Sequence, residues 1–237
     1  MKKTLHRAGT RGRASFGWLD SYHSFSFGHY FDPNRVQFGA LRVLNDDRVA
    51  PGRGFDTHSH RNMEIISIPL EGDLEHRDSM GNTSVIRAGD VQVMSAGKGV
   101  AHSEYNKNAQ REVAFLQIWI LPDRADVEPR YDQVSLEPEA LQNRWHTVLG
   151  PRGKHPGLWI HQDAWFHLGD FASGEEAAYT LKETGHGLYI FVIEGAVEVG
   201  GEVLRRRDGM GVEQASTLHF RMLEPGRILL MEVPLPG

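Results

Sequence analysis

The sequence contains no cysteine among its 237 residues. This absence excludes disulfide bridges, thiolate zinc sites, iron–sulfur clusters and cysteine nucleophiles. It is compatible with a reducing compartment, so the expected location is cytoplasmic. Metal chemistry would have to come from imidazole and carboxylate groups, and the chain has 13 histidines.

Long hydrophobic runs are also missing. No stretch approaches the roughly 18 apolar residues of a membrane-spanning helix, and the apolar segment from Val113 to Leu121 is broken by Gln117. The basic residues near the beginning of the chain have no apolar run behind them. We therefore expect neither a signal peptide nor a membrane partner.

The chain has no excess of basic residues. It carries 26 Lys and Arg against 31 Asp and Glu, a net charge of -5. Its two basic spots, which lie near Arg7 to Arg13 and at Arg205 to Arg207, are interpreted as solvated surface. We expect no direct contact with nucleic acid, because phosphate binding requires a positive surface.

Short apolar runs that alternate with turn signals predict a β-rich fold. The chain contains 26 glycines, and turns are predicted at residues 45–47, 78–82 and 200–201. The clearest of the few helical signals is Glu137–Arg144, inside a connection over residues 122–145. Short strands at regular spacing are typical of a sandwich or a barrel. Strands are predicted at Phe38–Leu44, Glu64–Leu70, Thr83–Ile86, Val91–Met94, Val113–Leu121, Leu158–His161, Tyr189–Ile193, Ala196–Val199 and Ile228–Val233.

The two halves of the chain show a weak repeat. Residues 69–75 are echoed by residues 192–198, each with a Glu-Gly turn between two strands, and residues 87–90 are echoed by residues 206–209. Such self-similarity predicts two related β-domains in tandem. We place them at residues 1–135 and 136–237.

Two short clusters carry the clearest chemistry, His58-Ser59-His60 and His102-Ser103-Glu104. Each places metal-capable side chains at positions i and i+2, which share one face of a strand. Two adjacent strands could direct three imidazoles and a carboxylate into one pocket, a set that suits a divalent transition metal. A solvated surface pair is the alternative for either cluster alone. The spacing leaves either Glu64 or Glu104 as the fourth ligand.

The second half lacks equivalent ligands. Fourteen residues before Gly72 stands His58, whereas fourteen before Gly195 stands Leu181, with Glu183 in the position of His60. Residues Arg221–Glu224, near the second equivalent cluster, contain no histidine pair. We therefore expect one metal site, in the first half.

These segments together resemble the pirin family of bicupins, and most closely its bacterial quercetin 2,3-dioxygenase-related members. The resemblance covers nearly the whole chain, although Gly72 stands one residue further along than is usual in the first cupin motif. The segments that carry it are Gly52–Gly72 with His58, His60 and Glu64, then Gly89, Met94–Glu104, Gly17–Phe27, Ala40–Asp47, Asp78–Asn82 and Gln117–Ile120.

The resemblance implies two tandem cupin, jelly-roll-like β-barrels, the first metal-binding and the second degenerate. It implies that the metal ligands are His58, His60, His102 and Glu104, with Glu104 rather than Glu64 as the fourth. Glu64 then either orients a ligand or is a satisfied polar residue of the barrel wall.

The activity implied by the resemblance is a metal-dependent dioxygenase like quercetin 2,3-dioxygenase. Such an enzyme cleaves a flavonol-type ring with dioxygen and releases carbon monoxide. One divalent metal is implied, with Fe(II) first and Ni, Mn, Co, Cu or Zn chemically acceptable. Glu104 is the residue expected to take the substrate proton.

Two other functions remain open. One is a regulatory or binding protein that acts through protein partners, as the family's eukaryotic co-regulator does. The other is a cupin metalloenzyme with a different small-molecule substrate, because fold does not fix function. Five aromatic residues near the motifs could line a flavonoid pocket or fill the barrel core: Phe25, Phe27, Phe55, Tyr105 and Trp119.

Overall fold

The computed structural model describes residues 1–236, and the regular secondary structure of its first half is almost entirely β-strand. Strand β10 buries every second residue, as expected where one face of a strand packs on a core. The strands of this half are β1 (Lys2–His6), β2 (Gly12–Ser15), β3 (Leu19–His23), β4 (Leu41–Val49), β5 (Gly54–His60), β6 (Glu64–Glu71), β7 (Asp73–Asp78), β8 (Thr83–Arg87), β9 (Asp90–Ser95), β10 (Val100–Asn106), β11 (Val113–Ile120) and β12 (Arg130–Ser135).

The second half repeats this strand-rich pattern after one helical turn, α1 (Pro138–Leu141). A single 3-10 turn, Ala8–Thr10, lies in the first half. The remaining strands are β13 (His146–Pro151), β14 (Leu158–Ile160), β15 (Trp165–Phe171), β16 (Glu176–Thr180), β17 (His186–Val192), β18 (Ala196–Val199), β19 (Glu202–Arg205), β20 (Gly209–Glu213), β21 (Thr217–Glu224) and β22 (Gly226–Pro234).

The strands form two pairs of sheets. The first half contains a seven-stranded sheet in the order β12-β9-β6-β11-β4-β3-β2 and a four-stranded sheet in the order β5-β10-β7-β8. The second contains a seven-stranded sheet, β1-β20-β17-β22-β15-β13-β14, and a four-stranded sheet, β16-β21-β18-β19. A large sheet facing a small one in each half is a jelly-roll arrangement. The all-β prediction is confirmed.

The largest hydrophobic cluster lies between the two halves rather than inside either one. It combines buried residues of the first seven-stranded sheet, such as Ile66 and Ile118, with residues of the second, such as Phe191 and Met231. A separate cluster around Val197 and other residues fills the second half. Each seven-stranded sheet is therefore covered on both faces.

The turn predicted at Asn45-Asp46-Asp47 is wrong, because these residues lie inside the continuous strand β4. All three are buried. Asp46 faces the second half and accepts hydrogen bonds from Arg207 Nε at 2.9 Å and Arg11 Nη1 at 3.1 Å. Partners far away in sequence thus outweigh the local turn preference of Asn and Asp.

The connection between the halves is more ordered than the sequence predicts. Its helix is limited to Pro138–Leu141, and residues 130–135 form β12, which pairs with β9 at the edge of the first large sheet. One strand also lies across the expected division, since β1 pairs with β20 of the second half. The division after residue 135 stays a prediction.

No helix among residues 1–236 is long and apolar enough to cross a membrane.

Candidate metal centre

The pairing of β5 with β10 brings the two predicted clusters together. His58 stands opposite His102, and His60 stands opposite Val100. The three imidazole centroids are 4.5 to 4.9 Å apart. One ligand nitrogen from each ring lies within 4.8 Å of the others, so the three rings converge on a volume that one ion could occupy.

A hydrogen bond within its own strand orients the His58 ring. Its Nδ1 lies 2.7 Å from the backbone oxygen of Asp56, within the same strand. A carbonyl oxygen can only accept, so Nδ1 carries the proton and donates it. In the neutral ring the lone pair then lies on Nε2, the nitrogen free to bind a metal, and the hydrogen bond fixes the direction of the ring.

The other two rings are neutral near pH 7. Burial, followed by the charge of His58, lowers the pKa of His60 to about 4. The same causes, with His60 and His76 in addition, lower the pKa of His102 to about 3. Both ring nitrogens of His102 are buried without a hydrogen-bond partner. Buried ring nitrogens without partners cost free energy, and metal coordination would satisfy one of the two in His102.

Glu104 follows His102 across a β-bulge, where the register between β5 and β10 shifts. Its carboxylate accepts hydrogen bonds from Ser67 Oγ at 3.0 Å and from Gln117 Nε2 at 2.5 Å. Burial raises the pKa of Glu104 to about 7, against the opposing effect of these two hydrogen bonds. The bulge turns this carboxylate toward polar groups of the large sheet.

The structure places Glu104 in a second group of ligand atoms, which overlaps the first. In this group one atom each of His76, His102 and Glu104 lies within 4.8 Å of the others. His102 is thus common to both groups. His58, His60, His102 and Glu104 form one continuous cluster, with His102 at its centre.

His76 was missed by the sequence reasoning. It is fully buried on β7 opposite Glu104, and its Nε2 donates to Asp78 at 3.0 Å. Its ring lies 5.4 Å from that of His102 and 4.7 Å from that of Tyr131, between centroids. The signal that could have found it is the spacing His76-x-Asp78, which again places two such groups on one strand face.

Glu64 belongs to neither group of ligand atoms. Its Oε2 accepts a hydrogen bond from Ser95 Oγ at 2.7 Å, while its Oε1 is buried without a partner. Glu64 and Ser67 are three residues apart on β6 and so face opposite ways, and Ser67 is the one that reaches Glu104. Asn62 has a φ of 51° and lies in the turn between β5 and β6. The even spacing from His60 to Glu64 therefore does not place the two side chains on one strand face. Burial raises the pKa of Glu64 to about 7, partly offset by its hydrogen bonds.

A cavity of about 220 Å³ borders the cluster. Trp119 stands edge-on to His60 and to Phe27, with centroid distances of 5.0 and 5.4 Å. Of the five aromatic residues considered from the sequence, Phe27, Phe55 and Trp119 line this cavity. Phe25 is instead part of the core between the halves, and Tyr105 hydrogen-bonds Asp56 on the outside.

This fold and this site define a class: a two-domain cupin whose first domain carries a histidine-rich cluster, a candidate metal centre, beside an apolar cavity. Three imidazoles and a carboxylate fit a divalent transition metal with open coordination positions. Both groups of potential ligand atoms found among residues 1–236 lie in the first half.

Comparison with known proteins gives the family. The pirin family profile matches residues 5–120, and the profile of the quercetinase C-terminal cupin domain matches residues 147–233. A quercetin 2,3-dioxygenase of Escherichia coli K12 is 39% identical over 232 residues, covering 97% of this chain and 98% of that relative. A pirin-like protein of Caulobacter vibrioides is 37% identical over 222 residues, with 93% and 95% covered.

A solved structure agrees with these relatives. The crystal structure of the bacterial pirin YhhW of Escherichia coli in complex with nickel(II) superposes with a TM-score of 0.94 at 36% identity. It covers 99% of this chain and 100% of the other. The chain belongs to the pirin family, and the resemblance predicted from the sequence is confirmed.

Proposed function

We propose that this protein is a metal-dependent dioxygenase of the quercetin 2,3-dioxygenase type. It opens a flavonol ring with dioxygen and releases carbon monoxide. The observation that carries the proposal is the convergence of three imidazoles beside an apolar cavity that His58 and His60 line. The relatives that bear this enzyme's name support it over nearly the full length of the chain.

The proposed ligands are His58, His60, His102 and Glu104, on one divalent ion. Imidazole and carboxylate accept Fe(II), Ni, Mn, Co, Cu or Zn, and geometry rather than ligand type must choose among them. Fe(II) is our first choice, and the nickel(II) complex of the related YhhW supports a divalent ion of this series.

When bound, the metal would act as a Lewis acid that favours the deprotonated 3-hydroxyl of the flavonol. The protein's own groups supply the rest. Phe27, Phe55 and Trp119 offer an apolar wall to the flat rings and keep water away from them. Glu104 lines the same cavity and takes the proton of the 3-hydroxyl.

The test begins with metal analysis of the purified protein. The loaded protein is mixed with quercetin without oxygen, and dioxygen is then admitted. We expect flavonol binding before admission, and flavonol loss with stoichiometric carbon monoxide only after it. Protein stripped of metal is the matched control and should stay inactive. Fully loaded protein that turns over no flavonol would refute the proposal and favour a partner-binding role or another small-molecule substrate.

A further inference from the structure

A row of buried polar side chains crosses the large sheet from Glu104 to the far side of the cavity. Ser67 on β6 stands opposite Gln117 on β11, and Gln117 stands opposite Asn45 on β4. Asn45 in turn stands opposite His23 on β3. Directly opposed residues share one face of a sheet. The row spans three strand spacings, about 14 Å.

The far end of this row is a linked cluster. Ser21 stands opposite Asp47 and donates its hydroxyl hydrogen to that carboxylate. His23 Nε2 lies 2.8 Å from the same Ser21 oxygen. Because the only proton of Ser21 is used on Asp47, His23 must be the donor in this contact. Its Nδ1 therefore carries a bare lone pair.

Two acceptors in this cluster are left without partners. His23 Nδ1 and Asn45 Oδ1 are both buried and form no hydrogen bond. The four residues Ser21, His23, Asn45 and Asp47 are at most 3% exposed. Buried polar groups without partners are costly, and on the wall of a cavity a ligand with O–H groups can satisfy them. All four line the same cavity as His58, His60 and Glu104.

We propose that Ser21, His23, Asn45 and Asp47 form a hydroxyl-binding subsite that selects flavonols with hydroxyl groups on their outer rings. The bare acceptors and the carboxylate call for O–H donors, which phenolic groups supply. Phe27, Phe55 and Trp119 line the apolar part of the same cavity, and the metal centre holds the chelating oxygens at the other end. This inference rests on the proposed function and names its substrate specificity.

The test compares quercetin with 3-hydroxyflavone, which keeps the chelating oxygens but has no other hydroxyl group. Anaerobic titration of the metal-loaded protein gives the ratio of the two affinities. In Asn45→Leu and Ser21→Ala we expect quercetin to bind about 10- to 100-fold more weakly. Binding of 3-hydroxyflavone and the metal content should stay within twofold of wild type.

Gln92→Leu provides the matched control. Gln92 belongs to the same row, opposite Ser67, and its amide is likewise buried and without a partner, but it does not line the cavity. This variant should keep the wild-type affinity ratio. The two subsite variants replace different groups, so one remains informative if the other fails to fold.

The outcomes separate the two proposals. An unchanged ratio in a folded, metal-loaded Asn45→Leu or Ser21→Ala protein overturns the subsite. Binding of both flavonols with no turnover overturns the dioxygenase, while the ratio still tests the subsite. A wild-type protein that binds neither flavonol overturns both.

Discussion

His102 is the residue on which the proposed metal centre depends most, because it belongs to both groups of ligand atoms. The sequence predicts that His58 and His60 lie side by side, since i and i+2 on a strand share a face, and the structure places both beside His102. The role of Glu64 was not predictable in this way. The turn at Asn62 intervenes, and strand parity holds only within one uninterrupted strand.

The dual role proposed for Glu104 gives a test at the residue scale. In Glu104→Gln a neutral oxygen can still face the metal, but the proton acceptor is lost. We expect turnover to fall by about 10² to 10⁴-fold and metal affinity to fall much less. Steady-state kinetics with quercetin and metal titration measure the two effects.

Glu64→Gln is the matched control for that variant. It changes another buried carboxylate of the first half, on the face of β6 opposite to that of Ser67, which contacts Glu104. It should leave both turnover and metal affinity close to wild type. Unchanged turnover in Glu104→Gln would rule out Glu104 as the base.

Glu232 is a buried carboxylate of the second half that is fully paired. It accepts hydrogen bonds from the Tyr179 hydroxyl at 2.6 Å, His186 Nδ1 at 3.1 Å and the backbone N–H groups of Lys182 and Glu183 at 2.9 and 3.0 Å. Burial favours a raised pKa, but these bonds outweigh it and hold the pKa of Glu232 below its ordinary value of 4.5. The ionised form therefore stabilises the fold.

The lowered pKa of Glu232 determines how the free energy of unfolding changes with pH. The stabilisation by Glu232 should be complete above pH 4.5, the unfolded-state value, and should fade as the pH falls through the lower folded-state pKa. Glu232→Gln should lower the unfolding free energy by about 2 kcal/mol at pH 7 and by progressively less in acid. Urea unfolding at several pH values measures this, with exposed Glu175→Gln as control. A difference that grows toward low pH would contradict the assignment.

At the scale of elements, the repeat seen in the sequence corresponds to a repeated turn. Gly72 connects β6 to β7 at a φ of 76°, and Gly195 connects β17 to β18 at 84°. The second repeated segment aligns residues 87–90 with residues 206–209 in the sequence, and the structure displaces this alignment by one residue. Asp90 accepts from the backbone N–H of Arg87, and Asp208 accepts in the same way from Arg205. Asp208 is therefore the equivalent of Asp90.

Strand β4 shows why some elements could not be predicted. Its alternate residues Asn45 and Asp47 face the cavity, while Asp46 faces the second half. A strand that buries polar groups on both faces has no alternating pattern to detect. Its partners, such as Arg207, are remote in sequence and become apparent only in the folded chain.

The Glu-Gly turn predicts a position-specific cost of substitution. A Cβ at Gly72 would lie 2.8 Å from the backbone oxygen of Glu112, at a positive φ. Gly72→Ala should therefore destabilise by about 2 kcal/mol or more. Gly81→Ala measures the cost of a positive φ alone, because φ is 95° there but no atom lies within 4 Å of an added Cβ. Chemical unfolding should show the larger loss at Gly72, and equal losses would refute the steric argument.

At the scale of the whole molecule, the two halves share their largest core. That core could not be located from the sequence, since apolar strands reveal that they are buried but not what covers them. The ion pairs of Asp46 with Arg11 and Arg207 lie at the same boundary. The second half therefore serves to cover the large sheet that carries Asn45 and Gln117.

Removal of the second half should expose that sheet. A fragment that ends near residue 145 leaves Ile66, Leu116 and Ile118 without their covering partners, and β1 without β20. We expect the fragment to aggregate or to unfold at a much lower temperature than the full chain, because exposed apolar sheets associate. Size-exclusion chromatography and thermal unfolding measure this. A soluble and fully active fragment would show that the second half is dispensable.

The number of metal ions also belongs to the whole molecule. The expected ligand positions of the second half hold Leu181 and Glu183, and Lys154 Nζ lies 2.7 Å from the Glu183 carboxylate. A single carboxylate paired with a lysine is a poor transition-metal ligand. We therefore propose one metal per chain, in the first half.

The most direct measurement of the central claim is the metal content of the wild type and of the His58→Ala, His60→Ala double variant. Both proteins are loaded with Fe(II) or Ni(II) under the same conditions, freed of excess metal and analysed. The proposed centre predicts one tightly bound equivalent in the wild type and essentially none in a double variant that keeps its β-rich fold. A folded double variant that retains full occupancy would contradict the claim.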